Sequence, residues 1–238
     1  MSLKKFRLKI KETIATIVAE EKYFQVAEAE VLFQRLVLED YLSRHPDFLF
    51  SLQPIAPCKE APEIIQLMAK ASFTAKVGPM ASVAGAIAYL AVRAMVRHGA
   101  KQVIFENGGD IAMYISEPVV VGLFAGEKFR NLAFRIRPRK TIFGLATSSG
   151  TMGHSLSFGQ AEAVTVFAAD PILADALATA LGNEIKKENP KEMEQTINKF
   201  LKIGAEGIVV VKGDFIGLGG KLPELILATS PDELITRT

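Results

Sequence analysis

Residues 164–179 read VTVFAADPILADALAT, and this stretch joins the pattern of a buried strand to the pattern of a helix. The apolar, β-branched run at residues 164–167 predicts a strand. Asp170-Pro171 predicts the start of a helix, because an aspartate can cap the free first amides and proline suits the first turn. Gly182-Asn183 predicts its end. A strand that leads directly into a helix is therefore the first element pair of the fold.

The N-terminal part predicts a hairpin followed by a long helix. Apolar and basic residues alternate over residues 6–11, which indicates a half-buried strand, and the β-branched run Thr13–Ala19 indicates its hairpin partner. From about Glu28 the apolar period lengthens to that of an amphipathic helix. This helix should end before His45-Pro46, because the residue before a proline disfavours the helical region. The apolar residues that outline the helix are Val31, Leu32, Leu36, Leu38 and Leu42.

Two further helices are predicted beyond a crossing that is rich in proline. The first covers residues 63–73, and the second, rich in alanine and glycine, covers residues 80–98 and ends at Gly99. We expect the second helix to be largely buried, since its small side chains allow close packing. The apolar stretch at residues 77–92 is shorter than the roughly 18 residues that a membrane-spanning helix needs.

The second half alternates short strands with helices. Hairpins interspersed with long helices predict an α+β fold. No low-complexity linker divides the sequence, so we expect residues 1–238 to form a single compact domain of two fused halves. The remaining elements are strands over residues 103–105, 111–115, 119–124, 132–137, 207–211 and 215–218, and an exposed, charged helix over Pro190–Leu201.

The composition excludes several classes of protein. With 49% hydrophobic and 23% charged residues, the chain is neither disordered nor collagen-like. Its net charge of +2 gives no reason to expect nucleic acid as a partner. The single cysteine, Cys58, excludes an intramolecular disulfide and a cysteine-rich zinc site. Charges recur too often near the N-terminus for a signal peptide, so we expect a cytoplasmic protein without a membrane anchor.

Asp175 and Thr179 form the first candidate site. Four residues apart on a helix, they share one face. A carboxylate and a hydroxyl offer the hard oxygen ligands that suit Mg²⁺, and the flanking alanines leave room for a phosphate-bearing ligand. The alternative is structural, with an acidic residue favoured by the helix dipole and a threonine bonded to a backbone carbonyl.

Three other segments could contact such a ligand. Residues 106–111 read ENGGDI, and the two glycines allow a ligand to approach the backbone, although Asn-Gly is also a common hairpin turn. Residues 146–155 read ATSSGTMGHS, which we interpret as a loop that contacts phosphate through hydroxyls and amides. His154 in this loop is a candidate general acid or base. Residues 77–85 read VGPMASVAG at the entry to a helix, which suits either an anion or close helix packing.

Taken together and in this order, these segments resemble the ApbE superfamily, the flavin transferases that move FMN from FAD to a protein threonine. Residues 107–110 match the Asn-x-Gly-Gly-acid turn of that family without its spacer residue. Residues 146–150 match its Ala-Thr-Ser-Gly loop loosely, and His154 matches the histidine that follows. The most specific match is the Thr-Val strand at residues 165–166 with the Ala-Asp-Ala-x-Ala-Thr helix at residues 174–179.

The resemblance implies a variant of the T-fold, with antiparallel sheets packed against long helices, and a site for Mg²⁺ and FAD or a related nucleotide. The metal ligands that it implies are Asp175, Thr179 and the carbonyl of Ala178, with Ala81 as a more distant partner. The catalytic residues that it implies are His154 and Asp175. The residues implied to bind the cofactor are Gly78, Met80, Asn107, Gly108, Gly109, Asp110, Thr147, Ser148, Ser149, Gly150 and His154.

The chain departs from the main family at two places. The family has an Ala-Lys-Gly segment where Val83-Ala84-Gly85 has no lysine, and residues 155–159 replace a hairpin by a short bypass. Arg135 and Lys76 are the candidates to replace the missing cation. We therefore expect Mg²⁺ and a nucleotide to bind, and transfer of FMN to be weak or absent.

A short cytoplasmic branch of the superfamily is similar to this chain over residues 45–220. Some relatives in that branch are linked to the incorporation of sulfur into homocysteine, so the alternative is a non-catalytic or accessory protein in sulfur metabolism. The partners implied are a nucleotide and a protein acceptor or pathway partner. The oligomeric state stays open, with a homodimer as one option.

Overall fold

The computed structural model describes residues 2–123, 132–149 and 161–227. Over these ranges the chain forms strands and α-helices, joined by two short 3₁₀ turns at Glu21–Tyr23 and Pro79–Ser82. In chain order the elements are β1 (Lys4–Ile10), β2 (Thr13–Ala19), α1 (Phe24–Arg44), α2 (Pro46–Phe50), α3 (Glu63–Ala75), α4 (Val83–Arg97), β3 (Val103–Asn107), β4 (Asp110–Tyr114), β5 (Val119–Gly122), β6 (Leu132–Ile136), β7 (Phe143–Ser148), β8 (Ala163–Ala168), α5 (Pro171–Glu184), α6 (Pro190–Leu201), β9 (Gly207–Lys212), β10 (Phe215–Gly220) and β11 (Glu224–Leu227).

The strands form two antiparallel sheets. The large sheet has eight strands in the order β1-β2-β3-β4-β7-β8-β9-β10, and the small sheet has three in the order β11-β6-β5. The helices pack on one face of the large sheet, against side chains such as Phe105 and Val166. The small sheet packs on the other face, where Phe134 meets Ile111 and Phe167. The α+β fold predicted from the sequence is confirmed.

Helix α4 lies at the centre of the helical layer. It packs against α1 and α5 and against strands β3 and β4, and Leu90, Ala91 and Met95 are fully buried. Among the described residues, the stretch Pro79–Arg97 is the one helix long and apolar enough to cross a membrane, and 56% of its apolar window is buried inside the protein. Its neighbours identify it as a core helix, as its small residues predicted.

The long helix α1 differs from its prediction in which side is buried. It begins at Phe24 rather than near residue 28, and it ends at Arg44 before the proline, as predicted. Leu32 and Leu36, two of the residues that outline the predicted amphipathic helix, are 47% and 54% exposed, so they do not lie on its buried face. The helix carries apolar residues on more than one side, so spacing alone does not identify the inner face. The buried residues are Ala27, Val31, Gln34, Leu38 and Tyr41.

Two strands escape the sequence pattern. Residues 146–148, interpreted as a loop, belong to β7, which lies in the middle of the large sheet. Its small and polar residues, Gly144, Thr147 and Ser148, hide the alternation that marks a strand. Strand β11 was also not predicted. The hairpin of β1 with β2, the hairpin of β9 with β10, and helix α6 lie where the sequence predicts them.

Candidate functional site

The candidate site forms where the start of α4 meets α5. Asp175 on α5 is 8% exposed, and its Oδ2 atom accepts a hydrogen bond of 2.8 Å from the backbone amide of Gly85. A Cβ atom at position 85 would lie 2.7 Å from the carbonyl oxygen of Pro171 and 2.9 Å from Cβ of Asp175. Only glycine allows α4 and α5 to approach so closely, and this approach brings the Gly85 amide to the Asp175 carboxylate.

The turn between β3 and β4 closes the site from the sheet. Asn107 and Asp110 are paired across the turn, and Gly108 and Gly109 between them adopt φ values of +67° and +102°. Glycine adopts such left-handed conformations without strain. The side-chain amide of Asn107 donates to the carbonyl of Ala84 over 3.3 Å. The turn is therefore attached to the same end of α4 that Asp175 contacts.

The charges of two carboxyls, Asp175 and Asp110, interact near this end of α4. Burial raises the pKa of Asp175 to about 7, against the opposing effect of hydrogen bonds from the Gly85 and Ala84 amides. Burial also raises the pKa of Asp110 well above its usual range, and the negative charge of Asp175 and then that of Glu106 raise it further. A bound cation would relieve both the burial of charge and the repulsion between the two carboxylates.

Strand register decides which hydroxyls belong to the same side of the sheet. Asp110 is paired with Ala146, so Ser148, two residues further along β7, shares the face of Asp110. Thr147 points to the opposite face, where its hydroxyl bonds the hydroxyl of Thr165 at 2.9 Å. The structure brings Ser148 to the carboxyl side and places the Thr147 side chain on the side of the small sheet. Ser149 follows the end of β7.

The other predicted residues flank the carboxyls or lie outside the described structure. Ala178 is buried and Thr179 half-buried, one turn beyond Asp175 on α5. The turn Pro79–Ser82, which contains Met80 and follows Gly78, packs against α5. Gly150 and His154 lie outside the described residues.

The two candidate replacement cations lie in different places. Arg135 is on β6 in the small sheet, on the side opposite the helices, and pairs with Glu224 at 3.2 Å. Lys76 ends α3 on the helical side, with an unusual φ of +59°. Of the two, Lys76 is the one that shares a layer with Asp175.

The groups of the candidate site that could bind a metal all offer oxygen atoms, which suits a hard cation. Within residues 2–123, 132–149 and 161–227, no group of three or more His, Cys, Asp or Glu side chains could hold a metal. Two carboxylates, a hydroxyl and backbone carbonyls provide only oxygen ligands, which suits Mg²⁺ and not zinc. Close helix packing was one of the two alternatives predicted for residues 77–85, but the hydrogen bonds of Ala84 and Gly85 to Asn107 and Asp175 were not predicted. A glycine inside a helical pattern was the available signal, since it often marks close backbone approach.

Comparison with known proteins places this geometry in context. A family model described as "AbpE bacteria" matches residues 1–202. The chain is 42% identical to a UPF0280 protein of Methanosarcina acetivorans, over 98% of this chain and 93% of the relative. It is 43% identical to a UPF0280 protein of Archaeoglobus fulgidus, over 99% of this chain and all of the relative.

Solved structures share the fold. The apo flavinyl transferase ApbE of Pseudomonas stutzeri superposes with a TM-score of 0.58 at 15% identity, covering 92% of this chain and 94% of that one. The ApbE protein of Thermotoga maritima superposes with a TM-score of 0.53 at 13% identity, covering 96% and 97%. At these identities the likeness concerns the fold.

Proposed function

We propose, since this chain belongs to the AbpE bacteria family, that it binds Mg²⁺ together with FAD or a related nucleotide and that its chemistry is of the flavin-transferase type. The observation that carries the proposal is that Asp175 and the β3–β4 turn, which includes Asp110, both contact the start of α4. The fold shared with a flavinyl transferase supports it.

In this proposal, Asp175, Thr179 and the Ala178 carbonyl hold the metal. When bound, Mg²⁺ supplies positive charge that neutralises a diphosphate. The backbone amide of Gly85 holds Oδ2 of Asp175 in place, so the carboxylate keeps one orientation toward the cation. Asp110 adds negative charge beside it, which strengthens the attraction for a divalent cation.

The remaining polar groups orient the nucleotide. Asn107 fixes the β3–β4 turn on Ala84, so the backbone of Gly108 and Gly109 keeps one position toward a ligand. Ser148 offers a hydroxyl on the same face. We assign His154 or Asp175 to accept the proton of an acceptor hydroxyl, which is general base catalysis.

A thermal-shift titration tests the binding. The purified chain is heated with FAD, FMN or other nucleotides, each with and without Mg²⁺, and a bound ligand raises the midpoint by mass action. We expect a rise with FAD or a related nucleotide only when Mg²⁺ is present. The rise should disappear in Asp175→Asn and weaken in Asp110→Asn.

The matched control is Asp47→Asn, which removes an exposed carboxylate from the first turn of α2. It should respond like the unmodified chain. No response to any nucleotide with Mg²⁺ would instead favour the accessory role in sulfur metabolism. We also keep the expectation of a cytoplasmic location and of a single domain.

A further inference from the structure

One edge strand of the large sheet carries a row of cations. In the described structure the two edge strands of that sheet are β1 and β10, and the cations are on β1. Lys5, Arg7 and Lys9 are exposed and point away from the helices, because Leu8 between them is buried in the core on the helical side. We name these three residues the cationic strip. Its spacing is that of alternate residues on one strand.

Arg7 and Lys9 differ in their charged surroundings from the lysine on the helical side of β1. Lys4 points toward the helices and pairs with Glu21. Among the described residues, neither Arg7 nor Lys9 forms an ion pair with a carboxylate, whereas Glu106 on β3 interacts with the charges of Lys5 and Arg7. Within the described part of the chain, Arg7 and Lys9 therefore keep a positive charge that Glu106 offsets only in part.

The sheet face beside the strip is partly open. The small sheet covers the large one from β3 to β9, through residues such as Ile104 and Val211. Next to the strip on β2, Ile14 is 44% exposed, and Thr16 and Val18 are half-buried. A further segment can therefore approach β1 without displacing any described part of the chain.

We propose that the cationic strip and the outer edge of β1 bind an extended, acidic segment of a partner protein as an added strand. The outer edge offers backbone donors and acceptors to such a strand. Alternate residues on any strand are about 6.7 Å apart, so a partner with carboxylates at alternate positions places them opposite Arg7 and Lys9. Directly opposed charges of opposite sign stabilise the pairing of strands.

The charges also decide against a second copy as the occupant. Pairing β1 with the β1 of another copy brings two rows of cations together, and lysines at sheet edges oppose such association. The interaction does not depend on the proposed nucleotide site, which lies at the start of α4 on the helical side of the sheet.

A short synthetic peptide in which glutamate alternates with threonine tests the proposal. We expect it to bind the full chain and to slow hydrogen exchange at the backbone amides of β1. The double variant Arg7→Glu with Lys9→Glu should bind it about tenfold more weakly, since two attractive pairs become repulsive. The same variant should bind the corresponding peptide with lysine in place of glutamate.

The control variant is Lys191→Glu with Lys202→Glu, which makes the same change of net charge at exposed positions on and after α6. It should bind the acidic peptide like the unmodified chain. Equal binding of an isomeric peptide with its glutamates grouped together, without protection of β1, would overturn the proposal. So would stronger binding of a single-stranded oligothymidine, which would indicate a general polyanion surface.

Discussion

At the scale of single residues, the protonation state that the Asp175 carboxyl favours depends on whether a cation is bound. Without one, the group lies buried beside a second acidic residue, Asp110, and favours its protonated form. With one, both carboxyls act as charged ligands or counter-charges. Binding of metal and release of protons are therefore linked at this site.

The first prediction concerns the pH dependence of the metal-free protein. The pKa of Asp175 is about 7 in the folded state, against about 3.9 for an ordinary aspartate in an unfolded chain. The folded state binds more protons between these values, so the contribution of this carboxyl to stability is greatest below about pH 4 and is lost as the pH rises through about 7. The effect is at most about 4 kcal/mol. The raised pKa of Asp110 acts in the same direction.

Urea unfolding in the presence of EDTA, at about pH 5 and about pH 8, measures this effect. Asp175→Asn keeps an acceptor for the Gly85 amide but cannot ionise, so its stability should change much less between the two pH values. Asp47→Asn should show the same change in stability between the two pH values as the unmodified chain. If Asp175→Asn also shows that change, the Asp175 carboxyl does not titrate near neutrality.

The second prediction concerns Gly85. Gly85→Ala should lower the free energy of unfolding by about 1–3 kcal/mol, because the new methyl group meets the Pro171 carbonyl and the Asp175 side chain. It should also weaken Mg²⁺-dependent binding of nucleotide, since the amide that holds the carboxylate moves. Arg97→Ala, in the exposed last turn of the same helix, should change stability by less than about 0.5 kcal/mol. Equal effects of the two substitutions would contradict the close contact.

Part of the candidate site could be predicted from the sequence and part could not. Asp175 and Thr179 are four residues apart, so helical geometry alone places them on one face. The meeting of Asp110 with Asp175 depends on packing between elements that are distant in the sequence. The side chains of Thr147 and Ser148 lie on opposite faces of the sheet because β7 is a strand. The small and polar residues of β7 do not show the alternation that would identify it as a strand from the sequence. The assignment of His154 stays a prediction, since the residue lies outside the described structure.

At the scale of elements, the sequence pattern of α1 predicts where the helix ends but not which face is buried. Its bounds follow from the local signal of His45-Pro46, and that signal is confirmed. Its inner face follows from which apolar residues meet the sheet and α4, and the helix has apolar residues on several sides. Leu36 and Leu38 are the same type of residue and lie two positions apart, yet Leu36 is 54% exposed and Leu38 is 5% exposed.

The third prediction uses this pair as its own control. Leu38→Ala should destabilise the protein by about 2–5 kcal/mol, because it removes buried methyl groups and leaves a cavity. Leu36→Ala should change the free energy of unfolding by less than about 0.5 kcal/mol, because its side chain is largely exposed. Urea unfolding of both variants compares them directly. A large loss in Leu36→Ala would indicate that this face is covered in the protein in solution.

At the scale of the whole molecule, the fourth prediction concerns catalysis. With FAD, Mg²⁺ and an acceptor domain that carries the usual threonine motif, we expect weak or absent transfer of FMN. The reason is the lack of a lysine at Val83-Ala84-Gly85, since a desolvated charged contact to a diphosphate contributes about 1.5–3 kcal/mol. Covalent flavin on the acceptor, seen by fluorescence in a denaturing gel, measures the transfer.

The controls for this assay separate loss of catalysis from loss of binding. Binding of nucleotide with Mg²⁺ but no transfer would support a changed chemistry on the same site. Robust transfer that disappears in Asp175→Ala would contradict the prediction and would show the activity of the flavin transferases that the sequence resembles. The comparison of Lys76→Ala with Arg135→Ala then identifies which cation compensates, and the shared layer with Asp175 favours Lys76.

The order of strands also governs how the chain can fold as it is made. Strand β2 pairs with β3, and residues 20–102, with helices α1 to α4, lie between them. The N-terminal hairpin is made of local contacts and can form early, but its place in the sheet depends on a strand that leaves the ribosome some eighty residues later. Long-range pairings of this kind slow folding. Until Asn107 has emerged, β2 keeps an open edge, and an incomplete chain exposes that edge to other chains.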